Sequence, residues 1–428
     1  MAENKTTELM RVDLNELLQN ALFDDISFID KYRPNAGLLI QRGLNKWQSK
    51  DERDKAIKEG KKTIKQELIE KITAVQASEL YFLAFKRWLK HTTLTSDNAH
   101  FVAIGASITG RLFTGLPLGG TLETGVSTHH SYGVPMIAGS SVKGAVRAYT
   151  ERLFAKRNDN GEIDFEKRRD KNGNETLHYQ FDDDKKAIID VLFGADDDDP
   201  NAGYLIWHDA WWIPPATGEQ NRPFAPEVVT VHHQNYYNGS LTEALDIENP
   251  IPNQQLAVQG GFYFVIEGVS AWAKYAGTLL KQAINEQGLG AKSSSGYGYF
   301  VVDDKRLAPY QEALEKQQEQ EQFQQLQAQM QNLSPNQRLI EEFKYHLDNN
   351  PEKWEKKSPT MSYKPLINDK HYEFADIYKE AMTWDDKQDI QAVYDMFLAY
   401  LPRFLGEKIN QNKNWKKRIN ELKEKIDS

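Results

Sequence analysis

Two glycine-rich, lysine-bearing stretches carry the chemistry this sequence offers. The first is Gly133 to Tyr149, GVPMIAGSSVKGAVRAY, which reads as a turn passing through Gly139-Ser140-Ser141 into a helix. Val142, Ala145, Val146, Tyr149 and Leu153 recur at helical spacing, leaving Lys143 and Arg147 on a basic polar face. Ser140 or Ser141 can cap the first turn, and open amides beside two cations suit a phosphate. The same residues also suit an ordinary capped helix with a solvated Lys and Arg. The second stretch is Gly288 to Gly298, GLGAKSSSGYG, in which Gly290, Lys292, Ser293 and Ser294 cluster. As a nucleotide-hydrolysing loop it fails, because Ala291 stands where glycine must precede the lysine. A helix also precedes this loop and a strand follows it, the reverse of the required order. Phosphate contact through exposed amides and Lys292 stays open, beside a purely structural glycine turn.

Other reactive groups are sparse. The chain has no cysteine, which removes disulfides, thiolate nucleophiles and Cys-ligated metal sites together. Adjacent residues on a strand face opposite ways, so His129-His130 and His232-His233 each offer one ligand at most. No metal or other cofactor is expected. A ribonuclease would need a His, or Glu123 as the acid nearest the first stretch, for its general base. Trp207, Trp211, Trp212, Tyr236, Tyr237 and Tyr297 could stack on bases, although core packing is the commoner fate of such rings.

The elements that must position these residues fall into four parts. Residues 1–98 read as mostly helical; 99–303 as a β-rich core with an acidic insertion at 158–200; 304–333 as a Gln-rich linker or helix; 334–428 as a C-terminal helical domain. In the core, strands are expected at Phe101 to Ile108, Tyr204 to Ile213, Val228 to Val231, Leu256 to Ile266 and Tyr299 to Val302. A helix with Trp272, Ala276, Leu279, Leu280, Ala283 and Ile284 on one face ends at Gly288. Together these predict an α+β fold with a split βαβ, ferredoxin-like centre. The insertion holds fourteen acids against six Lys or Arg, nearly all of the net charge of −9, and reads as mobile apart from a helix at Lys185 to Phe193. With that excess confined there, a basic surface elsewhere is possible. Ten glutamines fall between 311 and 332, and Ser334-Pro335 opens what reads as three amphipathic helices. No apolar run reaches membrane-spanning length and MAENKTTELM is not laid out as a signal peptide, so a cytoplasmic chain is the expectation.

Taken together, the segments resemble the RAMP superfamily of CRISPR-associated RNA-binding proteins. GVPMIAGSSVKGAVRAY is similar to its G-x-P-x-I-x-G-S-S-x-K-G-x-x-R signature, and GLGAKSSSGYG to its C-terminal glycine-rich loop. VHHQNYY at 231–237, Glu248-Asn249-Pro250-Ile251-Pro252 and Asn35-Ala36-Gly37-Leu38-Leu39 resemble the sixth-subunit family of type III-B effectors. The resemblance covers residues 35 to about 302, without the acidic insertion. It implies a modified RRM-like fold at the end of the effector backbone, beside other RAMP subunits, near the 3′ end of the guide CRISPR RNA and in contact with target RNA. By the same resemblance, Ser140, Ser141, Lys143 and Arg147 lie along guide phosphates. Gly290, Lys292, Ser293 and Ser294 form the second lip, and His232, His233 and Tyr236 are family-typical RNA-binding positions. Target cleavage belongs to another subunit with an Asp in an early loop, where this chain has Thr and Glu; a non-catalytic subunit is implied. A guide-processing or target-cleaving endoribonuclease and a protein-only scaffold are the alternatives.

Overall fold

The computed structural model describes residues 34–349 except 45, 94–99, 121, 170–173, 196–199, 216–220, 232–233, 238, 241 and 244–250, together with 372–405 and 412–428. Its central elements in chain order are β1 (Phe101–Ile108), α1 (Gly139–Phe154), β2 (Ala210–Ile213), β3 (Gly261–Glu267), α2 (Ser270–Glu286) and β4 (Phe300–Val302). They form a sheet in the order β4-β1-β3-β2 with antiparallel neighbours, the ferredoxin-like arrangement. Met136–Ile137 adds an outer edge beyond β2.

Strand β3 shows how the sheet is held. Along it Phe262, Phe264 and Ile266 enter one core while Tyr263 and Val265 enter another. Such an unbroken apolar run belongs to a strand covered on both faces. On the first face lie α1, through Val142, Val146 and Tyr149, and α2, through Ala276, Leu280 and Ile284. Gly277 lets α2 come down onto β1: a Cβ there would meet Val102 Cγ1 at 2.8 Å. On the second face lies the helix Glu79–Thr93, with Phe85 and Leu89, joined by Leu307 and Tyr310. Most polar atoms here are paired: the Tyr81 hydroxyl donates to the Trp212 carbonyl (2.5 Å), Thr92 and Tyr263 share a hydroxyl bond (2.6 Å), and Tyr310 donates to the Pro214 carbonyl (3.0 Å), while Trp88 Nε1 is buried without a hydrogen-bond partner among the described residues.

Some expected elements come out differently. The stretch read as one strand from 256 to 266 is two, Ile251–Val258 and Gly261–Glu267. Gly260 divides them with φ +104, and a Cβ there would lie 2.6 Å from Trp212 Nε1. Ile251–Val258 instead pairs with Phe224–Val231 in a separate ribbon. Within the insertion, for which the sequence predicts one helix, Phe165–Arg169 and Glu175–Tyr179 also pair as antiparallel strands. A Lys167–Glu175 pair (3.1 Å) and the Phe165 and Tyr179 rings, 5.3 Å apart, hold them locally, which a summed charge conceals. The helix there, Asp183–Phe193, buries Ile189, Leu192 and Phe193.

The chain divides into two units, Met1–Leu314 and Glu315–Ser428. The Gln-rich segment lies within the helix Ala308–Gln329. In the second unit, helices Pro335–Asn349, Phe374–Ala381, Lys387–Leu405 and Lys413–Asp427 enclose Phe343, Phe374, Phe397 and Trp415. Four described helices stand where three were read, because the 8-residue Phe374–Ala381 is too short to show a helical period of its own. Ser334 caps the helix Pro335–Asn349 as expected: its hydroxyl accepts from Gln337 N (3.2 Å) and its own amide donates to Gln337 Oε1 (3.3 Å).

The double covering of the sheet is testable. Tyr263→Ala and Phe264→Ala point to opposite faces, yet each should cost about 3–5 kcal/mol in denaturant unfolding. A sheet with one face open to solvent would lose stability from Phe264→Ala alone.

Candidate nucleic-acid interface

The start of α1 is built by the strand beside it. Strand Ile206–Trp207 pairs Trp207 with Ile266, whereas β2 pairs Trp211 with Tyr263. Three residues therefore stand opposite two, which is a β-bulge at His208 to Ala210. The bulge aims the Asp209 carboxylate at α1, where it accepts from Gly139 N at 2.7 Å. Gly139 has to be glycine, since a Cβ would lie 2.0 Å from the Trp207 carbonyl oxygen. The cap expected from Ser140 or Ser141 is thus supplied from a distance. Ala138 is the N-cap residue, it makes no side-chain cap, and both serines lie exposed in the first turn.

Farther along α1, Val142, Val146 and Tyr149 are buried, as their spacing predicts, while Leu153 is exposed. Lys143 is partly buried and has no carboxylate partner among the described residues. Arg147 Nε donates to Glu151 Oε1 at 2.7 Å, one turn on. The Tyr149 hydroxyl donates to Glu286 Oε2 (2.7 Å), and burial together with that carboxylate pushes it up to about 12, so it stays a donor. Gln287 Nε2 donates to the Ala145 carbonyl (3.4 Å). These two bonds tie α1 to the end of α2, from which the second glycine-rich stretch departs.

That stretch, 288–298, is a closed loop. Gly288 (φ +78) stops α2, and its amide donates to the Ala283 carbonyl (3.0 Å). Leu289 N donates to Gly298 O, Ala291 N to Phe113 O and Gly298 N to Arg111 O, each at 2.8 Å. Gly290 (φ +85) must be glycine because a Cβ would meet the Phe113 carbonyl oxygen at 2.2 Å. Lys292 sits in the left-handed region at φ +61, a conformation that costs a non-glycine residue about 1 kcal/mol. Ser293–Ser295 form a single 3₁₀ turn, and the Lys292, Ser293 and Ser294 side chains make no bond to the described residues. The Tyr297 ring packs on Phe113, with centroids 4.8 Å apart.

The remaining candidates are placed as follows. His232 and His233 lie outside the described residues; Tyr236 and Tyr237 are exposed on one helical turn, Gln234–Tyr237. Trp207 and Trp212 are core residues. Glu123 (φ +69) binds Lys65 at 3.1 Å and Arg53 at 3.6 Å. No group of three His, Asp or Glu among the described residues could hold a metal. Asn35-Ala36-Gly37-Leu38-Leu39 proves to be a brace. Asn35 caps the helix Ala36–Arg42, and its Nδ2 donates to the His130 carbonyl (3.0 Å) in the turn before α1.

His129 packs against Tyr132 and Trp211, and burial lowers its pKa against an opposing pull from Asp209. A lowered folded pKa means stability present above the unfolded value, near 6.5, and lost as pH falls toward the folded one. Urea midpoints measured from pH 7 to 5 should therefore fall less steeply in His129→Phe than in the unsubstituted chain.

Comparison with known proteins sets this geometry in a lineage. Residues 85–301, half of the chain, match the family model of the RAMP superfamily. The chain is 26% identical over 261 residues to the CRISPR system Cmr subunit Cmr6 of Pyrococcus furiosus, covering 54% of this chain and 76% of that protein. Among solved structures it is similar to a chain of the type III-B Cmr-beta complex bound to cognate target RNA (TM-score 0.41, 18% identity, 68% of this chain and 97% of that one). It is also similar to the crystal structure of Cmr6 from Pyrococcus furiosus (TM-score 0.31, 21% identity, 48% of this chain and 98% of that one). With the signature helix and the glycine-rich loop both inside the matched span, the chain belongs to the RAMP superfamily.

Proposed function

We propose that the chain is a non-catalytic, RNA-binding backbone subunit of a type III-B CRISPR effector complex. It holds the 3′ part of the guide RNA, helps hold complementary target RNA in antiviral defence, and packs against other RAMP subunits in the cytoplasm. One observation carries this reading: Lys143 and Lys292, which lack carboxylate partners among the described residues, sit on two segments locked together by the Tyr149–Glu286 and Gln287–Ala145 bonds. Around them Ser140, Ser141, Gly290, Ser293 and Ser294 offer hydroxyls and close backbone approach. None of these groups reads a base edge, so any guide sequence is accepted. Arg147 joins them by exchanging Glu151 for a phosphate, and Tyr236 offers an exposed ring. One relative, Cmr6 of Pyrococcus furiosus, is by its name a CRISPR system subunit. Glu123 spends its carboxylate on Lys65 and Arg53, which argues against its use as a base.

The test is the salt dependence of RNA binding. Lys143→Gln with Lys292→Gln should weaken binding equally for unrelated RNA sequences and lower the slope of log affinity against log salt by about one for each lysine removed. An unchanged slope would refute the groove and favour a protein-only scaffold. RNA cleavage that is lost on Glu123→Ala or His130→Ala would make the chain a nuclease.

A further inference from the structure

A cleft of about 670 Å³ opens between the helix Ala36–Arg42, the segment after it, and the glycine turn at Leu118 to Gly120. Trp47 stands on one side with 67% of its surface exposed, and Leu118 faces the same cleft, 70% exposed. An indole left that open forgoes about 2 kcal/mol of burial, so the fold does not account for its being tryptophan. The charged residues lining the cleft are Arg42 and Lys46, both cations, with no carboxylate beside them in the wall. Lys46 reaches Glu52 only at 3.9 Å, between exposed side chains, a pairing worth little. Gly119 (φ +65) and Gly120 (φ +138) form the facing wall as bare backbone, and a Cβ on Gly119 would meet nothing within 4 Å. A flat aromatic face, two cations and an open backbone wall are together the chemistry that receives one nucleotide: the ring stacks the base and the cations take the flanking phosphates.

We infer that this cleft is a stacking site for one base of the single-stranded RNA that the chain binds. It rests on the RNA-binding reading above, and the fold supplies the continuity. Phe113, whose carbonyl holds Ala291 of the lysine loop, precedes Gly119 by six residues, at most roughly 20 Å of chain. One strand running past Lys292 therefore reaches Trp47 within a few nucleotides. Stacking on an indole is indifferent to base identity, in keeping with phosphate contacts that read no sequence.

The experiment uses the full chain and two fluorescent probes of equal length, a single-stranded RNA and its abasic sugar–phosphate counterpart. Trp47→Ala should weaken the RNA about tenfold and leave the abasic probe unchanged, and Trp47→Phe should restore most of the loss. Lys143→Gln with Lys292→Gln should weaken both probes. If Trp47→Ala binds RNA like the unsubstituted chain while the lysine variant loses it, the stacking site is refuted and the groove survives. Equal losses on both probes from Trp47→Ala also refute it. If the unsubstituted chain binds neither probe, both readings fall.

Discussion

The hydrogen bond from the Gly139 amide to the Asp209 carboxylate decides what the signature helix can do. It exists because one extra residue in the strand turns Asp209 toward α1, and because Gly139 has no Cβ to collide with the Trp207 carbonyl. A carboxylate at this end is where the helix dipole favours it. The consequence is electrostatic: an anion approaching the first turn of α1 meets a negative charge already in place. Backbone at a helix start is therefore a weak receptor here, and the side chains that project farther along, Lys143 first, have to carry the attraction.

The covered sheet exerts a second constraint. In an RRM the aromatic face of the sheet stacks bases, but here Tyr263 and Val265 are sealed under Phe85, Leu89 and Tyr310. The fold keeps the strand order and gives up the binding surface. On the proposed reading, recognition falls to connections that leave the sheet, and two of these require glycine by geometry: Gly290 against the Phe113 carbonyl, and Gly139 against the Trp207 carbonyl. At these two positions glycine marks backbone meeting backbone.

Much of this was legible in the sequence because it is periodic. The stripe Val142, Val146, Tyr149 and the stop at Gly288 follow from local rules, and strand β1 runs from Phe101 to Ile108 as read. What escaped is non-local. Asp209 caps a helix 70 residues away, so the serines beside Gly139 looked like the natural caps. The break at Gly260 depends on the Trp212 ring lying beneath it. Lys292 is the converse case, a lysine in a left-handed conformation that composition would assign to glycine. The Arg147–Glu151 pair follows from an i,i+4 spacing, and it leaves the basic face of α1 less open than its cations alone suggest. Trp47 gave no periodic signal, being a lone aromatic between two helices.

The proposed binding of RNA by an acidic chain is a paradox only while charges are summed. Several described acids beside the two lysine segments are engaged, Glu151 with Arg147, Glu286 with Tyr149 and Asp209 with Gly139, while Glu227 stands near Tyr297 of the lysine loop without a cation partner among the described residues. The insertion lies against α1, where Arg168, His178 and Lys186 line one pocket with Arg147 and Glu151, and screening at physiological salt confines the reach of its exposed acids to about 8 Å. What a phosphate would meet is the local remainder: Lys143 and Lys292 have no carboxylate partner among the described residues, and Lys46 has Glu52 at 3.9 Å. Net charge then governs how the whole molecule behaves in solution, whereas binding is governed by which cations the fold has left without an internal carboxylate.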